Sequence, residues 1–419
     1  MNDYSRIRSP IKNQLETPLD ILLADIAVMV QLPPGLHAKA CDRYEALRQY
    51  VVRPNSPLFG LVTQLYPQGS MAIDATTSTR GTDNEYDLDA VLEAEFPAQM
   101  KPGEVLDLTY EALKDYRVDA KVLRQTRCVT ICYTDDMHVD VTPARRRPTS
   151  LEHESNIFHA KPEEHLHRHV EVPMNAFGFA AWYRGRTPDE ELFSEAFREL
   201  TFDAWNILAK ADPVFHDVPD QTPLPRKSVT TVALQLLKRF RDIWGLGQPG
   251  RIPPSVMLSC HAGHAAQPGL SLSEMVIRQA RWTAKAINSA ARMGRLIEVR
   301  NPVMHEDRFT DRWPENQQQQ QTFAASLTDF ADCLQFMRAN DMSLEDMQEV
   351  LRKCFGSQVV TKSVRIFNDR TGRALRGGSQ RYTQRGGLFV PAAPAIVGVT
   401  TAASVVPARA HTNMGERRP

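Results

Sequence analysis

EYDLDAVLE, residues 85–93, alternates with the period of a half-buried strand. Tyr86, Leu88, Ala90 and Leu92 face one way; Asp87, Asp89 and Val91 face the other. Residues two apart on a strand point the same way and lie about 6.5–7 Å apart. Two carboxylates so placed can converge on hard divalent cations. Mg²⁺ commonly takes one or two of them and fills its shell with waters and phosphate oxygens. A bare D-x-D also fits two solvated acids, so the pair alone decides nothing. No Gly or Glu follows in EF-hand register, which sets a calcium loop aside.

Working outward, residues 128–133 and 138–142 read as two strands joined by Thr134-Asp135-Asp136-Met137, turn chemistry that suits a hairpin. His138, Asp140 and Thr142 share one face of the second strand. If that strand lies beside 86–92, Asp140 joins Asp87 and Asp89. Three crowded carboxylates repel unless cations neutralise them, so the cluster points to a metal site. Upstream, Gly69 lets the backbone approach a phosphate, and Ser70 offers a backbone N–H and a hydroxyl. Gly-Ser in isolation is an ordinary turn and gains weight only from the acids behind it. Together these residues describe phosphoryl transfer. One Mg²⁺ would hold a donor triphosphate against Gly69-Ser70, and a second would activate the attacking hydroxyl. Asp140 is placed to bind the second ion and accept the proton. Mn²⁺ is the alternative metal.

The chain has 419 residues, enough for two lobes. It is 42% hydrophobic and 24% charged, as soluble globular proteins are. Lys+Arg and Asp+Glu balance at 50 each, so a dedicated electrostatic nucleic-acid binder is not indicated. No apolar run has membrane-spanning length and the N-terminus has no signal core, so a cytoplasmic, membrane-free protein is expected. The six cysteines form no C-x-x-C pair. Cys128 and Cys132 read as small buried strand residues.

Helical stretches are expected within 16–53, broken at Pro33-Pro34, and over 103–116, 229–244, 273–295 and 321–353. The fold class is therefore α+β: a sheet lobe with N-terminal helices over 1–160, and a helical lobe over 161–355 that closes the nucleotide site. Residues 356–419, rich in Arg and Gly and then in Pro and Ala, read as a flexible tail.

QGSMAIDATT (68–77), EYDLDAVLE (85–93) and MHVDVTPARR (137–146) resemble blocks of the polymerase-β-like nucleotidyltransferases, and more narrowly the bacterial CD-NTases. VPMNAFGFAAWY (172–183), PLPRKSVTTVALQLLKRFRDIW (223–244), RIPPSVMLS (251–259) and NPVMHEDRFTDRW (301–313) resemble that family's helical-lobe blocks. The resemblance spans roughly residues 15–350. Met174 and Ala176 depart from it, and nothing after 356 matches. It implies a cyclic di- or trinucleotide made from ATP and/or GTP with release of pyrophosphate. It also implies CBASS anti-phage defence, with a separate effector reached by the product and CBASS accessory proteins as partners. Gly69, Ser70, Asp87, Asp89 and Asp140 carry over as the catalytic set. Lys238 and Ser255 match donor-phosphate contacts; they also fit a solvated helix lysine and a serine capping the helix after Pro254. Rival readings are a polymerase-like, tRNA- or protein-modifying transferase, and a silent nucleotide sensor.

Other signals are weaker. Gly245 to Gly250 fits G-x-G-x-x-G but follows a helix, so it reads as a helix-ending loop. No P-loop is present. His153, His159, His165, His167 and His169 read as a solvated loop before a zinc site. His138 stays uncommitted. Arg145-Arg146-Arg147 reads as a solvated charge run. Trp182 and Tyr183 fit core packing or base stacking.

Overall fold

The computed structural model describes residues 14–15, 17–78, 86–135, 137–148, 152–161, 168–211, 226–340 and 342–377, with three short strands beyond. Glu85, Asp136, His165, His167 and most of the region after 377 lie outside the described residues.

The sheet lobe follows from the alternation. Strands β1 (Val62–Gln68), β2 (Tyr86–Ala94), β3 (Lys121–Arg124), β4 (Val129–Cys132), β5 (Met137–Arg146), β6 (Ser155–His159) and β7 (Val170–Met174) form one seven-stranded sheet. The central order is β1-β2-β5-β4-β3, with β6 and β7 continuing from β5. β2 and β5 run parallel; β1 and β4 are antiparallel to them. Parallel neighbours need a crossover, and helix α4 (Pro102–Leu113) lies in it. Tyr86, Leu88, Ala90 and Leu92 are buried with Ile131, Val139 and Val141. Covering them are Val105, Leu106 and Leu113 of α4 and Tyr44, Leu47 and Val51 of α2 (Pro34–Val51). One face is thus sealed by the even-numbered residues of β2, and Asp87 and Asp89 are left on the other.

The second lobe is helical. It contains α5 (Ala176–Arg186), α6 (Glu191–Ala211), α7 (Val229–Gly245), α8 (Ser255–Ala265), α9 (Leu272–Arg292), α10 (Gln317–Ala339) and α11 (Leu344–Phe355). Its core centres on α7, where Val232, Ala233, Leu236, Leu237 and Phe240 are buried. The glutamine run starts α10, and Asn316 caps it by accepting from the Gln319 amide. Gly245 ends α7, as the loop reading of that stretch requires.

Several expectations are corrected. α1 (Pro18–Val30) belongs to the helical core, not to the sheet lobe: it is buried from Leu19 to Val30, its apolar residues pack into that core, and its Asp25 pairs with Arg370. The sheet continues past residue 160 to Met174; His153 is buried and His159 ends β6, so these two are not solvated loop residues. Residues 357–377 are not a flexible tail but helix α12 (Ser357–Gly377). Val359, Val360, Val364 and Ile366 repeat at helical spacing and are buried against the core. Arg145 is no solvated charge: its guanidinium donates to the carbonyls of Phe96, Pro97 and Met100 and pairs with Glu171. Arg147 pairs with Glu154 and Glu306. Tyr183 is a core residue, its hydroxyl 3.3 Å from Thr231 Oγ1. Among the described residues no helix is long and apolar enough to cross a membrane.

His261 in α8 makes the helical lobe acid-sensitive. It is buried against Thr283, and burial pushes its pKa from 6.5 down to about 4. The depressed folded value means that the neutral ring's contribution is present above pH 6.5 and is lost as pH falls through about 4. That loss is on the order of 3 kcal/mol. In urea unfolding, His261→Gln should gain stability relative to the parent on going from pH 7 to pH 4.5.

Candidate active site

β2 and β5 pair so that Asp87 lies beside His138 and Asp89 beside Asp140. The juxtaposition expected from the sequence is therefore in register on adjacent parallel strands. Burial first, then the charges of Asp140 and Asp87, push the Asp89 carboxyl up to about 7, with Lys238 acting against them. On the far side of β5, Thr130 of β4 stands opposite Asp140, and its hydroxyl donates to Asp140 Oδ1 (2.5 Å). From behind the sheet, the Tyr44 hydroxyl donates to the Asp89 carbonyl (3.1 Å) and ties α2 to this point of the strand.

β1 brings Gln68 opposite Asp89, and the chain then turns into the short helix α3 (Gly69–Ala72). Gly69 has φ +59°, and a Cβ there would stand 2.4 Å from Asp89 Oδ2. The glycine is needed both for its left-handed backbone and for the close approach to the acid. Gly69→Ala should lower turnover at least about tenfold, since a strained φ of about 1–2 kcal/mol adds to displacement of Asp89. Steady-state product formation, with circular dichroism as the folding control, measures this. Ser70 is held by its neighbours: its hydroxyl accepts from Thr76 Oγ1 (3.3 Å) and its carbonyl from the Ala75 amide (2.9 Å).

The helical lobe supplies the opposing wall. Lys238 of α7 is 5% exposed, which rules out a solvated helix lysine. Its Nζ donates to the Ala75 carbonyl (2.8 Å), and burial lowers its pKa to about 8. Ser255 is the first residue of α8; Pro254 occupies the capping position, so Ser255 does not cap the helix. Gln68, Gly69, Ser70, Asp89, Lys238 and Ser255 line one cleft of ≈ 380 Å³, within the range of small-ligand sites. Asp89 reaches that cleft itself; Asp87 and Asp140 share its strand face.

The far end of the cleft was not legible as a site. A hairpin of β8 (Arg300–Asn301) and β9 (Met304–Arg308) carries Asp307, Arg308, Phe309 and Asp311 to its wall. Asp307 accepts from Asn301 Nδ2 (2.9 Å) and from the Asn175 amide (3.2 Å). Arg127 crosses from the sheet lobe to Asp311 (2.5 Å). The Asn301-Pro302 turn signal was the available clue to the hairpin.

The described histidines do not assemble a metal centre. His153 is buried with Nδ1 3.0 Å from Glu93 Oε2. His159 Nδ1 sits between the guanidiniums of Arg127 and Arg312. His169 lies by the Lys161 carbonyl. Among the described residues no three His, Cys, Asp or Glu side chains close up to hold a metal by themselves. The aspartates fit a Mg²⁺ site of the kind that counts on substrate phosphate oxygens to complete the shell. The charges of Asp140 and Asp87, which add to burial in raising Asp89, are a repulsion that a divalent cation would relieve.

A family model for the nucleotidyltransferase domain of cyclic GMP-AMP synthase DncV-like proteins matches residues 63–143, the span that holds Gly69, Ser70 and the three aspartates. The cyclic dinucleotide synthase CdnG of Bradyrhizobium diazoefficiens is 57% identical over 401 residues, 96% of this chain and 95% of that one. This chain belongs to the CD-NTase family of cyclic dinucleotide synthases. A structure of the Bradyrhizobium CD-NTase CdnG in complex with GTP superposes on this CD-NTase with a TM-score of 0.76 at 54% identity, covering 85% of this chain and 100% of the other. A c-di-GMP synthase of Roseivirga ehrenbergii is 22% identical over 374 residues, 87% of this chain and 92% of its own. CdnC of E. coli MS115-1 with ATP shares the fold at a TM-score of 0.53 and 14% identity, over 80% of this CD-NTase and 97% of CdnC.

Proposed function

We propose that this CD-NTase makes a cyclic dinucleotide from GTP, alone or with ATP, at a Mg²⁺ site carried by Asp87, Asp89 and Asp140. The observation that carries the reading is the in-register pairing of Asp89 with Asp140 beneath the Gly69 turn. Mg²⁺ bound by these acids, with Mn²⁺ as a substitute, supplies charge neutralisation at the α-phosphate and a lowered pKa for the attacking hydroxyl. Gly69 and Ser70 receive the donor triphosphate on one side. Lys238 and Ser255 receive it on the other, the lysine as a point charge suited to phosphate. Asp140 accepts the proton from the ribose hydroxyl of the second nucleotide. A new oxygen–phosphorus bond forms at the α-phosphorus as its bond to the pyrophosphate oxygen breaks. Repetition of the step on the linear intermediate closes the ring and releases a second pyrophosphate. The biological setting is CBASS defence, in which the product diffuses to a separate effector.

The test supplies GTP and ATP, singly and together, each labelled in turn at the α-phosphate, and resolves phosphatase-resistant products by mass spectrometry. A resistant dinucleotide ring names the bases. Linear chains only, or label on protein or added tRNA, would favour the rival transferases.

A further inference from the structure

The face of the sheet that carries the acids continues onto β4. Thr130 and Cys132 share that face, Cys128 stands just before the strand, and Thr130 is the residue directly opposite Asp140. Its single hydroxyl proton is directed at Asp140 Oδ1 at 2.5 Å. A hydroxyl donor facing one oxygen of a carboxylate does two things. It fixes the rotation of the carboxylate plane, and it leaves the second oxygen as the one free to act. Cys128 Sγ lies 3.9 Å from Thr130 Oγ1.

We propose that Thr130 is a positioning residue for the reaction: its hydroxyl holds Asp140 so that Oδ2 is presented toward Asp87, Asp89 and the incoming ribose hydroxyl. This rests on the assignment of Asp140 above. The backbone cannot do this work, since β4 and β5 fix only the Cα positions and leave the Asp140 carboxylate free to turn about its own bond. A threonine side chain suits the place because its β-branched χ1 is stiff on a strand. The hydroxyl is therefore held on target at little entropic cost.

Two variants separate hydroxyl from shape. Thr130→Val keeps the volume and loses the donor; Thr130→Ser keeps the donor and loses the methyl group. Thr130→Val should lower kcat about 10- to 100-fold with the KM for GTP little changed, and raise the Mg²⁺ concentration for half-maximal rate. Thr130→Ser should stay within a few-fold of the parent. Mn²⁺ binding to each purified protein in the presence of a non-hydrolysable GTP analogue, read by electron paramagnetic resonance, follows the same order without needing turnover. If the parent makes no cyclic product, the functional reading falls while this binding series still decides the role of Thr130. Valine equal to the parent in both readouts, or serine as impaired as valine, would overturn the proposal. If Thr130→Val melts well below the parent, Thr130→Ala takes its place and is expected to behave as valine should. Failure of both to fold while Thr130→Ser folds would make the hydroxyl a structural group and count against positioning.

Discussion

Asp89→Asn is expected to abolish cyclic product, by about 10³-fold or more, while leaving the protein at least as stable as the parent. The loss follows from removing a metal-binding charge at the reacting centre. The preserved stability follows from the same geometry. Asp89 is buried beside Asp140 and Asp87, and its carboxyl is raised from 3.8 to about 7. An acid whose folded pKa is raised contributes stability that is fully present below its unfolded value of 3.8 and is lost as pH rises through about 7. Metal-free parent protein should therefore melt higher at pH 5 than at pH 8, and Asp89→Asn should flatten that slope. Scanning calorimetry in EDTA at both pH values measures it. A variant that loses activity because it unfolds would contradict this view of the site.

Arg370→Ala is expected to have the largest effect on stability, about 3–5 kcal/mol by urea unfolding. Arg370 makes a bidentate pair with Asp25 of α1 (2.9 and 3.0 Å), and its Nε donates to Asp203 of α6 (3.1 Å). Asp25 is fully buried, and burial raises its carboxyl to about 6 even against the guanidinium. Removing the arginine leaves that carboxylate without its charge partner. Arg370→Met combined with Asp25→Asn should recover much of the loss, since it removes both charges at once.

The same residue explains where sequence reading stops. The strand of Asp87 and Asp89 was legible because its alternation is strict and one-sided. The hairpin with Asp140 was legible from its turn. Both rest on local patterning that the tertiary fold leaves intact. α12 was missed because Arg370 reads as a solvated tail cation, and only the fold supplies its two acidic partners. α1 was assigned to the wrong lobe because a mostly apolar helix says that it is buried but not in which core. The reason for Gly69 was half legible. A glycine near phosphate was expected, whereas the left-handed turn and the Asp89 carboxylate at its Cα are facts of packing. The Asp307–Asp311 stretch was legible as part of a family-like block but not as a wall of the site, since its approach to the cleft depends on how the two lobes meet.

The most direct measurement incubates the purified full chain with Mg²⁺, GTP and ATP and compares parent, parent with excess EDTA, and the Asp87→Ala/Asp89→Ala double variant, with phosphatase-resistant dinucleotide and pyrophosphate as readouts. The expected result is a cyclic dinucleotide from the parent, with two pyrophosphates per ring, and none from either control. Cyclic product that persists in the folded double variant, or in EDTA, would contradict the assignment of the metal-dependent reaction to these acids.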